Sequence, residues 1–385
     1  MDRAVTPGMW EEIRSEFPAT RDVIYLNSAA VSPLSTRTRR ALDGLSRAME
    51  ERGILALESV FERVAKIREG AAWLIGASPR EIAFTGNTTS GILLAARGIR
   101  WKDGDNVVMP AVEFPANVYP WMSLRDRGVE LRMVEPESGA VTAEMLADVC
   151  DSRTRAVTVS WVQFSTGYRV DLEELGDFCR NRSIYLHVDA IQGLGALAVD
   201  VRKLGIDFLS AGGHKWMLAL PGAGIFYCRE DLIEEIELSN PGWTGVAGRD
   251  DYLDYRFEYV DEATRFEAGS LNFHGIYALG ESIDRIRETG REAFEDRVLE
   301  LSGTLSSRLR EAGFETAIEA ARERTSGIVC FGHPAVEPER IFGALEDAGV
   351  VCALREGRIR LSPHVYNTTE ECERVMSVLD GLSRR

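Results

Sequence analysis

The sequence predicts an α/β protein built on an open sheet, and three observations carry that expectation. Short apolar runs that read as strands alternate with segments whose apolar residues recur at helical spacing. Two of the strands deliver opposite charges: residues 184–188 end in Asp189, and residues 206–209 run into Ala211-Gly212-Gly213-His214-Lys215. Open α/β sheets hold their ligands beyond the carboxyl ends of the strands, so Asp189 and Lys215 are expected to converge on one crevice. Finally, 385 residues are enough for two packed domains.

In chain order, residues 8–17 read as a helix stopped by Pro18, and residues 23–26 as a strand running into Asn27-Ser28-Ala29-Ala30. Residues 36–52 and 58–74 have helical spacing, punctuated by Gly76 and Ser78-Pro79. A strand over 82–84 leads into a small polar run, 85–91, containing Thr88 and Thr89, and then into a helical pattern as far as Arg97. Free amides, hydroxyls and a positive helix end meet there, which is how a phosphate is held; plain helix capping would use the same residues. The strand over 106–109 leads to Glu113-Phe114-Pro115-Ala116-Asn117, and the strand over 157–161 to Gln163-Phe164-Ser165-Thr166-Gly167. Residues 172–182 read as a helix. Gly222 and Gly224 lack the strand-first order of a dinucleotide fingerprint and are read as the entry to the next strand. Residues 229–262 are charged and contain Pro241-Gly242-Trp243-Thr244-Gly245. From about Gly275 one long helix is expected to lead into a smaller α+β region. Near its end lie a buried strand over 350–354, then Arg355 and Arg360, and a last helix opening at Thr368.

Composition excludes several function classes. Sixty-one acidic against 45 basic residues give a net charge of −16, which repels nucleic acid and anionic membrane surfaces alike. No apolar run approaches the length of a membrane span, and the N-terminal stretch is too charged for a signal peptide, so a cytoplasmic protein is expected. The six cysteines, at 150, 179, 228, 330, 352 and 372, form no Cys-x-x-Cys pair. With five scattered histidines they offer neither a disulfide framework nor a metal site.

Asp189-Ala190-Ile191-Gln192, the glycine-rich turn carrying His214-Lys215-Trp216, and Pro221-Gly222-Ala223-Gly224 together resemble the pyridoxal-phosphate enzymes of aminotransferase class V. That group includes cysteine desulfurases, selenocysteine lyase, kynureninase and isopenicillin N epimerase-like proteins. The resemblance covers nearly the whole chain and implies their fold type I. A large domain (31–270) would carry a mostly parallel seven-stranded sheet, and a small α+β domain (271–385) would follow it. The N-terminal segment (1–30) would pack beside the active site and the small domain.

The resemblance also implies roles. The cofactor needs a lysine amine for its Schiff base and an acid at its ring nitrogen, jobs that fit Lys215 and Asp189. Thr88 and Thr89 would hold its phosphate, Gln192 its phenolic oxygen, and His214 would touch the phosphate or orient the lysine. Phe114 would cover the ring where desulfurases carry a histidine, a pattern closer to kynureninase. The serine common three residues before the lysine is Gly212 here, so Ser210 is the candidate to replace it. Arg360 would clamp the substrate α-carboxylate, with Arg355, Asn27 and Gln163 nearby. Glu267-Ala268-Gly269-Ser270 resembles the segment whose hydroxyl reaches a neighbouring subunit's phosphate, which implies a homodimer with shared sites.

The expected function is therefore a pyridoxal-phosphate lyase or transferase acting on a small amino acid. Desulfurase-like C–S cleavage by β-elimination, without a catalytic cysteine, is preferred to transamination, epimerisation or kynureninase-like hydrolysis. Desulfurases place a nucleophilic cysteine on a long loop ahead of the carboxylate arginine, whereas only four residues separate Arg355 from Arg360. A non-catalytic cofactor-binding protein would have no use for Arg360.

Overall fold

The computed structural model describes residues 8–136, 139–319 and 321–383. It opens with α1 (Met9–Ser15), β1 (Ile24–Tyr25), α2 (Thr36–Arg52) and α3 (Leu57–Ile75). The large sheet takes β2 (Ile82–Thr85), β3 (Asn106–Pro110), β4 (Glu130–Val134), β5 (Thr154–Ser160), β6 (Tyr185–Asp189), β7 (Phe208–Gly212) and β8 (Gly224–Cys228). Helices α4 (Thr88–Gly98), α5 (Tyr119–Met122), α6 (Ala143–Ala147) and α7 (Leu172–Arg182) connect them.

The strands lie in the order β2-β8-β7-β6-β5-β3-β4. All ladders are parallel except those of β8, which runs against both β7 and β2. Strands buried on both faces read as near-continuous apolar runs, and β3, β7 and β8 are buried throughout. Register sets the site: Ser160 pairs with Asp189, and Asp189 with Ser210, so the ends of β5, β6 and β7 are level.

Beyond the sheet come α8 (Phe273–Thr289) and α9 (Arg291–Glu311), then β9 (Glu315–Thr316), β10 (Val329–Gly332), α10 (Pro338–Asp347), β11 (Val350–Val351), β12 (Ala353–Arg355), β13 (Arg358–Leu361) and α11 (Thr369–Ser383). Antiparallel β12-β13-β10-β9 form a second sheet, whose core with α9, α10 and α11 includes Leu305, Phe331, Ile341 and Leu379. Strand β1 pairs in parallel with β11, which ties the N-terminal segment to this smaller unit.

Three expectations need correction. The single long helix is two, because Gly290 takes φ 104°, a conformation open to glycine, and the chain turns there. The strand expected over 206–209 is shifted to Phe208–Gly212; Asp207 lies ahead of it, and its carboxylate accepts the Leu186 amide. The buried strand over 350–354 is two short ones broken at Cys352.

Candidate active site

The crevice lies at the carboxyl ends of β5, β6 and β7. Asp189 ends β6 and is 1% exposed. Its Oδ1 accepts the Ile191 amide at 3.0 Å, while Oδ2, equally buried, has no partner among the described residues. A buried acceptor without a donor costs roughly 1–3 kcal/mol, so this oxygen is shaped for a donor supplied from outside the chain. Burial raises the carboxyl's pKa, as does Glu113; the Ile191 amide and Lys215 pull it back.

Beyond β7, the backbone turns through Gly213 and His214 to bring in Lys215, 9% exposed. Its Nζ stands 5.5 Å from the centre of the Phe114 ring. Burial lowers the amine's pKa; Asp189 opposes this, and Arg360 and Arg355 add to it. A buried amine with a depressed pKa is a nucleophile and base nearer neutrality than a surface lysine.

The polar run after β2 leads directly into α4. Asn87 caps the helix through the Ser90 amide at 2.9 Å, leaving Thr88 and Thr89 in the first turn. Thr88 Oγ1 accepts the Gly212 amide at 2.9 Å, and a Cβ built on Gly212 would stand 3.1 Å from that oxygen and 3.3 Å from the His214 ring. The threonine thus occupies the space of the missing serine, and His214 flanks it. Ser210 is not brought into the crevice. Its hydroxyl is fully buried under α4, bonds His187 Nε2 at 3.1 Å and faces Gly91, because side chains two apart on β7 share a face.

Gln192 is more occupied than expected. Its Nε2 donates to the Ala29 carbonyl at 3.1 Å and its Oε1 accepts from Trp216 Nε1 at 2.9 Å, which leaves one amide hydrogen free. Phe114, 43% exposed, packs edge-on to Phe164 with ring centres 5.2 Å apart.

Across the crevice, Arg360 is 3% exposed; its Nη1 donates to the Phe164 carbonyl at 3.2 Å, and its Nε has no partner among the described residues. Asn27 Nδ2 donates to the Cys352 carbonyl, and its buried Oδ1 is likewise unpartnered. Arg355 is exposed and bonds its neighbouring carbonyl. Gln163 is fully buried, with its Nε2 committed to Glu113 and the Ser160 carbonyl, so it does not offer a donor to a substrate. Ser270 is exposed, on a segment anchored by Glu267, whose carboxylate takes Arg68 and the Phe84 amide.

The residues that sequence reasoning missed form a buried polar chain beneath the crevice: Glu113, Asn117, Thr158 and His187. Burial holds His187 neutral, its pKa lowered to about 3. The one available signal was a charged residue at the end of a buried strand, Glu113 after β3. By contrast, in a cavity of about 550 Å³ at Trp161, Arg169, Glu295 and Arg324, two of the arginines are ion-paired, Arg169 with Glu295 and Arg324 with Asp171.

The family follows from comparison. The aminotransferase class V profile matches residues 24–375. The chain belongs to aminotransferase class V. It is 31% identical to a "Probable cysteine desulfurase" of Methanothermobacter thermautotrophicus, covering 97% of this chain and 98% of that one. An apo cysteine desulfurase from Thermococcus onnurineus superposes with TM-score 0.90 at 26% identity over the full length of both chains. A cystine C–S lyase, C-DES, crystallised with cysteine persulfide, gives TM-score 0.87 at 23% identity, covering 94% of this chain and 99% of that one. This class V chain is therefore a pyridoxal-phosphate enzyme with the type I fold. The site suits the cofactor: an unpartnered buried carboxylate oxygen, a lysine with a depressed pKa, and a helix start that carries two threonines in its first turn.

Proposed function

We propose that this enzyme is a C–S lyase that frees a sulfur species from a cysteine-type amino acid by β-elimination, with no covalent step on a cysteine of its own. The observation that carries this reading is the hairpin before Arg360. Arg355 pairs directly with Arg358, and the two residues between them, Glu356 and Gly357, both have positive φ (48° and 70°), which makes the tightest common hairpin turn. No excursion reaches from it to the crevice. The nearest thiol, Cys352, is 7% exposed, and burial pushes its pKa up to about 12, so it is a poor nucleophile. The 31% identical relative, named for desulfuration, favours sulfur chemistry over transamination.

Bound pyridoxal phosphate supplies an electron sink for the pair left on the substrate Cα. Lys215 would hold the cofactor and then, released, take the Cα proton; the C–S bond then breaks and its electrons leave on sulfur. Asp189 Oδ2 would accept from the cofactor ring nitrogen, and the remaining Gln192 amide hydrogen would face the phenolic oxygen. Thr88, Thr89 and His214 would hold the phosphate. Phe114 would cover the ring and keep water off it. Arg360 would grip the α-carboxylate through Nε and its free nitrogen, a bidentate geometry that a lysine cannot copy, and Asn27 Oδ1 would accept from the substrate.

A homodimer would complete the site, with Ser270 reaching the phosphate of a second copy. The exposed apolar side chains Ile54, Leu55, Phe61, Leu253, Tyr255 and Phe257 support that assembly. Light scattering tests it, and a fully active monomer would refute it. For the reaction, the holoenzyme is offered cysteine, cystine, alanine and kynurenine while sulfide, persulfide, pyruvate and racemisation are followed. Sulfur release with pyruvate from cysteine or cystine is expected; turnover of alanine or kynurenine alone would replace the reading.

A further inference from the structure

We propose that Glu113 is a positioning residue for the substrate grip: its buried carboxylate clamps the turn over residues 160–164 and through it aims the Arg360 guanidinium. The inference rests on Arg360 as the carboxylate site.

Glu113 is 6% exposed and has no ion-pair partner among the described residues. Four donors meet its carboxyl instead; burial raises its pKa, and these four bonds pull it back. Oε1 accepts the Ser160 amide at 2.7 Å and Gln163 Nε2 at 3.1 Å; Oε2 accepts the Ser160 hydroxyl and Asn117 Nδ2 at 3.0 Å. Two of the four come from Ser160, the last residue of β5, and one from Gln163 in the turn that follows it. The fourth is itself oriented, since Asn117 Oδ1 accepts from Trp121 Nε1 and Thr158 Oγ1.

That turn closes on itself through Gln163 N to the Tyr168 carbonyl and Gly167 N to the Gln163 carbonyl. The next carbonyl, that of Phe164, is the one that receives Arg360 Nη1. A displaced turn therefore moves the acceptor that sets the guanidinium's plane, and the Phe164 edge against Phe114 with it. Only a carboxylate can accept at both oxygens. A glutamine would press its NH₂ against a donor that cannot turn to accept, the Ser160 amide on one side or Asn117 Nδ2 on the other, and push the turn away.

The test uses the holoenzyme and propionate, a carboxylate without an amine, titrated by calorimetry. Glu113→Gln should raise the propionate Kd roughly tenfold while leaving the cofactor absorbance in place. Arg360→Lys should raise it as well, and adding Glu113→Gln to Arg360→Lys should change it less than about twofold, because both act through one contact. Gln163→Met, which keeps the bulk and removes a donor, should follow the same pattern and serves if Glu113→Gln does not fold. An unmoved Kd with Arg360→Lys would sink the arginine reading. A weakened Arg360→Lys beside an unmoved Glu113→Gln, or additive effects in the double variant, would overturn the clamp alone. Lower thermal stability with an unchanged Kd would mark Glu113 as merely structural.

Discussion

At one end of the crevice, Asp189 and Lys215 stand on β6 and just beyond β7, two neighbouring strands of one sheet; at the other, Arg360 projects from a separate small sheet. The first end is fixed by the ladder: Ser160, Asp189 and Ser210 are level because the register makes them so. At the second, the Arg360 backbone is paired in its own small sheet, and its guanidinium is tied across by a bond to a carbonyl 196 residues away in the chain. The proposed cofactor chemistry is thus held by neighbouring strands of one sheet, and the proposed grip on a substrate by a distant contact. Changes at the first end should abolish the reaction, whereas changes at the second should grade it.

The largest expected effect is that of Lys215→Ala, which should lower kcat/KM by at least about 10⁴-fold while cofactor remains bound through phosphate and ring contacts. Borohydride treatment of the parent should fix the cofactor covalently on the Lys215 peptide, read by mass spectrometry. A label on another lysine would break the assignment of this end.

Arg360→Lys comes next, with a loss of roughly 10² in kcat/KM from losing a bidentate charged pair. Arg355→Lys, at an exposed position, should cost less than about threefold. Steady-state kinetics on one substrate decide between them, and the reverse order would move the carboxylate to Arg355.

The same contrast explains what the sequence made legible. Helix α2 spans the stretch 36–52 that helical spacing marks, and the strand end carrying Asp189 and the start of α4 are local patterns of a few residues. Strand β4 escaped notice because it is an edge strand with no buried residue, so Glu130 and Arg132 mask its pattern. Glu113 escaped because its donors lie at 117, 160 and 163, and Ser210 was misplaced because nothing local says which face of β7 looks toward α4. Long-range partners set those positions, and spacing along the chain does not encode them.

A smaller effect concerns protonation at the first end. Burial holds the Lys215 pKa below its ordinary value, about 10.4 for a free lysine, and the charge of Asp189 is what retains the proton as far as it does. In the cofactor-free protein, labelling of Lys215 by acetic anhydride should therefore rise with pH through a midpoint well below 10.4. Asp189→Asn should move that midpoint further down, since it removes the stabilising anion and leaves the desolvation. A midpoint at the ordinary lysine value would show that the amine is not buried.

The smallest effect should come from Cys352→Ala, beside the hairpin. Cys352 is packed with Ile24, Val350 and Leu379 in the small-sheet core, and burial holds its thiol protonated at neutral pH. Removing a buried sulfur should cost about 1 kcal/mol of stability, visible as a small fall in Tm. Sulfur release from cysteine and cystine should stay within about twofold of the parent, because the proposed C–S cleavage uses only Lys215 as base. Complete loss of release, with a persulfide trapped on Cys352 in the parent, would mean that the thiol leaves its core to reach the crevice. The hairpin end would then carry chemistry as well as grip, and the contrast between the two ends would fail.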